Sequence, residues 1–190
     1  MTVHRLKIIN VGNEIGLEKT MTFRPFGKQA KTIILNKISE LVPNDCLDMD
    51  FSGIEICDVS FVDEIIVEVQ LFLRNNKENL FFVSNINEAT LENLEAALFY
   101  REKKNNERVP VLISREGELV VVGTLEPNLH ETFKQLAKAK EITARDIAEL
   151  NDIAINSASN RLKKLFDLRL VLRQERITPN GKDHIYQVPI

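Results

Sequence analysis

Between Glu141 and Ile190 the spacing of apolar residues breaks once and then changes period, and no other stretch of this 190-residue chain limits the fold as tightly. Thr143 is placed to accept from the amide of Asp146 while Asp146 reaches back, a capping-box start for a helix with Ala144, Ile147, Ala148 and Leu150 inward. The stretch Leu150-Asn151-Asp152-Ile153 breaks that pattern. Apolar residues return at Ala158, Leu162, Leu165 and Phe166, a stripe at helical spacing, while the opposite face collects Asn156, Ser157, Asn160, Arg161, Lys163 and Lys164. The period then drops to two. Val171, Arg173, Glu175 and Ile177 alternate with Leu172, Gln174 and Arg176, and after a turn at Pro179-Asn180-Gly181 the run His184 to Val188 pairs back.

Short amides and hydroxyls at a helix start, with cations further along, suit the edges and backbone of double-stranded DNA. Asn pairs with adenine, Arg with guanine, and Lys neutralises phosphate. The β-ribbon would set Arg173, Arg176 and Lys182 against the phosphate backbone. A solvated polar surface is the plain alternative for the helix face taken alone. The charge distribution adds to the first reading: residues 130–190 hold 11 Lys and Arg against 8 Asp and Glu, and residues 1–129 hold 14 against 20. A polyanion is drawn to the C-terminal part and repelled by the rest.

The order of helix, break, basic helix and ribbon resembles the winged helix-turn-helix of bacterial transcription regulators, carried here by "ITARDIAELNDIAINSASNRLKKLFDLRLV". The resemblance spans about the last fifty residues and implies DNA binding. Where that family has a Gly before Leu-Val, this chain has Arg169, so the basic helix is expected to end without a left-handed glycine.

Upstream, Cys46 to Phe51 is a strand candidate, Ser52-Gly53 a break, Ile54 to Cys57 a short return, and a helix starts near Ser60. Ser60 reads as its N-cap, with Asp63 at the third helical position and Glu64 beside it, where the helix dipole favours acids. Phe61 to Arg74 is apolar almost all round, so this helix either lies between two layers or waits for a partner. Lys28 to Val42 and Leu91 to Phe99 are further helices and Leu80 to Val83 a buried-type strand, an alternation that predicts an α/β (α+β) fold with a partly parallel sheet.

This front portion resembles the STAS-like family, relatives of the anti-sigma factor antagonists. The matching residues are Asp50, Phe51, Gly53, Ser60, Phe61, Asp63 and Glu64, with Arg24 and Ala30 at the family's helix start. The resemblance implies a protein partner, such as a histidine-kinase-like ATPase, or self-association as a homodimer. It makes Asp58, Ser60 and Asp63 the partner-binding residues and Ser60 the candidate phospho-site. Antagonists carry the phosphorylated Ser directly after an Asp, whereas here Val59 separates Asp58 from Ser60.

Three segments follow: a STAS-like α/β domain over 1–104, a connecting β-hairpin over 105–127 around Glu116-Gly117, and a winged helix over 128–190 whose first helix is capped by Asn128. The polar run Arg101 to Arg108 reads as the flexible boundary. No phosphate loop, His-Glu-x-x-His or Gly-x-Ser-x-Gly elbow occurs, so an enzyme is not expected. Cys46 and Cys57 read as small core residues, and capping accounts for Asp48, Asp50, Asp58 and Asp63 more simply than a metal does, so no cofactor is expected. With 28% charged residues and no long apolar run, the chain is expected to be cytoplasmic with no membrane contact. The sequence thus points to a DNA-binding regulator with a protein-sensing front domain, and its alternative is a partner-switching adaptor that does not bind DNA.

Overall fold

A computed structural model describes residues 1–76, 79–178 and 181–189, apart from the side chains at 178 and 182. The expected turn residues Pro179 and Asn180 lie outside that range. The fold is α+β. Its main sheet has five strands, β1 (Val3–Lys7), β3 (Cys46–Asp50), β5 (Leu80–Ser84), β6 (Val111–Arg115) and β7 (Glu118–Val122), adjacent in that order. The first four run parallel and β7 returns antiparallel to β6. A second, two-stranded parallel pair joins β2 (Thr20–Met21) to β4 (Ile56–Cys57).

Strands β3 and β5 are buried along their whole length because both faces of the sheet are covered. On one face Leu47, Met49, Phe81, Val83, Val111 and Ile113 share a core with helices α1 (Ile8–Glu14), α2 (Arg24–Ser39) and α5 (Glu88–Asn105). The same core holds a helical rod made of α3 (Val59–Val62), a π-helical turn (Asp63–Val67) and α4 (Glu68–Asn76). Phe61, Val62, Ile65, Ile66, Val67 and Val69 of this rod are fully buried, so its all-round apolar character serves a position between layers.

On the other face, Cys46, Leu80, Phe82, Leu112 and Leu119 form one core with the C-terminal unit. That unit comprises α6 (Pro127–Ala139), β8 (Glu141–Thr143), α7 (Ala144–Asn151), α8 (Ile155–Asp167), β9 (Leu172–Thr178) and β10 (Gly181–Gln187), with β10 central in an antiparallel sheet ordered β8-β10-β9. The connecting hairpin, which could extend either sheet, supplies β6 and β7 to the main sheet, and the apolar back of that sheet receives the C-terminal helices. Buried Gln70 ties the two parts together, its Nε2 donating to the carbonyls of Pro110 (3.1 Å) and Leu168 (2.8 Å). Among the described residues no helix is long and apolar enough to cross a membrane.

Several local expectations change. The N-cap of α6 is Glu126 with Pro127 following, and Asn128 sits inside the helix, where its side chain accepts from the amide of Leu129. Pro at the first helical position has no N–H to satisfy, which sets the start two residues earlier than the Asn suggests. The Arg101 to Arg108 run is no flexible boundary either: α5 continues to Asn105, and Arg101 is anchored to Asp63, Glu68 and Glu107.

Candidate nucleic-acid interface

The start of α7 has the capping box expected from its sequence. Thr143 Oγ1 accepts from the amide of Asp146, whose Oδ2 accepts from the amide of Thr143 at 2.8 Å. Helix α7 ends at Asp152 in the left-handed conformation (φ 51°), which Asp tolerates better than most residues and which turns the chain sharply into α8. In α8 the stripe of Ala158, Leu162, Leu165 and Phe166 is buried, fixing the rotation of the helix about its axis. The outward face follows from that rotation: Asn156, Ser157, Asn160, Lys163 and Lys164 are exposed and Arg161 is half-buried at its edge.

Two of the cations are engaged locally. Lys163 Nζ lies 2.8 Å from Asp167 one turn on, and Lys164 Nζ lies 3.4 Å from Glu126 at the start of α6. Both pairs are solvent-exposed, so each is worth well under about 1 kcal/mol and a phosphate can replace the carboxylate. Beside the start of α8 a cleft of about 570 Å³ opens toward the ribbon, lined by Arg145, Asn156, Ser159, Arg176, Asp183 and His184. Arg176 is exposed at its edge, opposite Asp183 in the β9–β10 register. Arg145 was not singled out by periodicity, because its role depends on the angle between α7 and the ribbon.

Arg173 lies elsewhere than the ribbon pattern suggests. Its guanidinium sits 4.2 Å from the centre of the Phe166 ring, which holds it against the core of the C-terminal unit. The side chain of Lys182 falls outside the described residues. Helix α8 ends without a left-handed glycine, as expected, and Arg169 itself takes the left-handed position (φ 57°). Its guanidinium stacks 4.7 Å from the Phe166 ring, and its Nε donates to the carbonyl of Leu73 at 3.3 Å. Those contacts offset a conformation that costs a non-glycine residue about 1 kcal/mol, and they turn Arg169 toward the front domain.

The second group of predicted residues, around Ser60, is arranged differently from its sequence reading. The N-cap of α3 is Asp58, whose Oδ1 accepts from the amide of Phe61 (2.7 Å) and the hydroxyl of Ser60 (2.8 Å) while Oδ2 accepts from the amide of Phe23 (2.8 Å). A carboxylate has two oxygens for this junction and a hydroxyl has one, so Asp takes the cap. Burial acts to raise the Asp58 carboxyl, and these donors outweigh it and hold the group below the ordinary carboxylate value.

Asp63 is buried in the π-helical turn instead of capping a first turn. Arg101 Nε reaches its Oδ1 and Arg24 Nη1 its Oδ2, each at 2.8 Å, and Arg24 Nη1 also meets Glu64 at 2.8 Å while Lys31 closes on Glu64 at 2.6 Å. Burial works to raise both acids, and the facing cations overcome it and lower them. Ser60 and Asp58 thus share one small junction, and Asp63 belongs to a separate buried ion network. Gly27 makes room for that network, since a Cβ there would stand 3.1 Å from Glu64 Cβ and 3.2 Å from Phe61 Cα.

Among the described residues no group of three or more His, Cys, Asp and Glu side chains comes together to hold a metal ion. Both cysteines are buried, and burial pushes the Cys57 thiol well up. Compared with known proteins, the chain matches no family model and no curated sequence.

Proposed function

We propose that this chain is a DNA-binding transcriptional regulator in which the C-terminal unit is a winged helix and α8 enters the major groove. The observation that carries the reading is the two-sidedness of α8: the Ala158, Leu162, Leu165, Phe166 stripe is buried, and the face opposite presents amides, a hydroxyl and lysines to solvent. The element order α6-β8-α7-α8-β9-β10, with β10 between β8 and β9, suits a helix delivered to a groove with a ribbon alongside. Asn156, Ser157 and Asn160 would read base edges, and Arg145, Arg161, Lys163, Lys164 and Arg176 would meet phosphates.

The front domain fits a STAS-like signal receiver. Supporting this is an apolar surface around the Asp58–Ser60 junction formed by Phe23 (66% exposed), Ile56 (53%) and Val59 (39%). Phe23 adopts φ 69°, ψ 126°, a conformation that bulky L-residues avoid, which marks the junction as a constrained, presented surface. A protein partner binding there is also what the adaptor reading requires, and that reading needs no DNA. Titration of the full chain against a mixed-sequence duplex over a salt series separates the two. Affinity that falls steeply with salt and weakens on Arg161→Ala and Lys164→Ala supports the regulator; absence of any complex at low salt refutes it.

A further inference from the structure

The sheet order leaves two free edges, and they differ in kind. Strand β1 carries Arg5 and Lys7, cations that discourage another strand from pairing. Strand β7 reads Glu118-Leu-Val-Val-Val, with no charge beyond its first residue and neither Gly nor Pro. Its hairpin closes through Glu116 (φ 55°) and Gly117 (φ 83°), with Arg115 opposite Glu118, Ile113 opposite Val120 and Val111 opposite Val122. In a two-residue hairpin the residues flanking the turn exchange hydrogen bonds, and the pattern then alternates. Glu118, Val120 and Val122 therefore bond inward to β6, and Leu119 and Val121 turn their N–H and C=O groups outward. No partner among the described residues takes those four groups.

Alongside this edge runs a groove of about 520 Å³ between β7 and α6, with Leu119, Val120, Ala137 and Val188 among its apolar lining and Lys134 and Lys138 at its side. Lys134 and Lys138 belong to an exposed stripe of α6 that begins with Glu131, at spacings of three and four residues. The stripe is acidic at its N-terminal end and basic at its C-terminal end. Such a helix is complementary to an antiparallel copy of itself.

We propose that a second copy of this chain pairs with the free edge of β7, antiparallel and about a two-fold axis at Val120. In that register Leu119 lies opposite Val121 of the second copy and Val121 opposite its Leu119, so the four outward groups of each strand form four hydrogen bonds across the axis. Val120 meets its own equivalent, and like charges are absent from the strand contact. The same axis sets the two α6 helices antiparallel, with Glu131 facing Lys138 of the second copy in both directions. The Glu131 and Lys138 ends complement each other about the axis, as an isologous dimer demands, and the exposed Lys134 ammonium nearest the axis stays in solvent. The two sheets become one continuous sheet, and the arrangement holds whether or not DNA is the ligand.

The test is the solution mass of the full chain together with amide hydrogen exchange. The wild type should show twice the 21.7 kDa of one chain, and dilution should speed exchange of the Leu119 and Val121 amides by about tenfold or more as pairs separate. Val121→Pro removes an outward N–H, breaks no ladder bond to β6, and should give the monomer mass. Glu131→Lys should weaken the dimer, and Glu131→Lys with Lys138→Glu should restore it. A wild type that stays monomeric at about 0.1 mM, where a dimer of micromolar Kd would dominate, overturns the proposal. So does a dimer whose mass is unchanged by Val121→Pro, or a monomer that instead takes up an extended peptide along β7.

Discussion

Replacing Arg161 and Lys164 by Ala should change how DNA affinity responds to salt, and the size of the change follows from the charge count on the interface. Arg145, Arg161, Lys163, Lys164 and Arg176 are the five described cations placed on or beside the outward side of α8 and the ribbon cleft. Each phosphate neutralised contributes about −0.9 to the slope of log affinity against log salt, so five contacts give about −4.5. Over the fourfold rise from about 50 to 200 mM salt, that slope is a loss of about 500-fold, and with two contacts removed the slope falls to about −2.7 and the loss to about 40-fold. Fluorescence anisotropy of a labelled duplex across that salt range reads both numbers. The variants should unfold like the wild type, because Lys164 is exposed and Arg161 only half-buried. A slope unchanged by the double substitution would refute the assignment of these residues to phosphates.

Glu126→Gln with Asp167→Asn should raise affinity several-fold at low salt, since both carboxylates now occupy the lysines that phosphate needs; a decrease in the same anisotropy assay would contradict it. Leu162→Ala, truncating a fully buried side chain that holds α8 in place, should cost about 3 kcal/mol in urea unfolding and weaken DNA binding with it. Arg101→Ala leaves buried Asp63 short of one of its two cations and should cost about 3 kcal/mol by the same method, without altering the salt slope. Acid should destabilise the fold in a defined direction. Asp58, Asp63 and Glu64 are lower in the folded chain than their ordinary values of 3.8 and 4.5, so their contribution is complete above those values and is lost as pH falls below them. The urea midpoint at pH 4 should exceed that at pH 3, and a rise on acidification would contradict the ion network.

The sequence made the C-terminal helices legible because their signals are local. The capping box at Thr143 and Asp146 and the stripe from Ala158 to Phe166 lie within one or two helical turns, where residue spacing alone reports geometry. The all-round apolar rod from Phe61 was visible too, and burial between layers resolved its two readings. What escaped depends on distant partners. Arg101 meets Asp63 from 38 residues away, and Gln70 meets Leu168 from 98. Strand β1, helix α1 and strand β2 were not read at all; β1 pairs with β3 from more than forty residues off and carries mostly polar residues, so no alternation announces it. Arg173 carries the charge expected of a wing residue, but the Phe166 ring draws it inward together with Arg169. Ser60 and Asp58 are both good capping residues, and only the amide of Phe23, brought alongside by the β2–β4 pairing, decides between them.

Contact between the outward side of α8 and DNA is read residue by residue in an NMR titration of the isotope-labelled full chain with a short duplex. Amide signals of residues 155 to 164, Arg145 and Arg176 should shift, with those of α2 and the Asp58–Ser60 junction unmoved. Shifts confined to the front domain, or none at low salt, would contradict it.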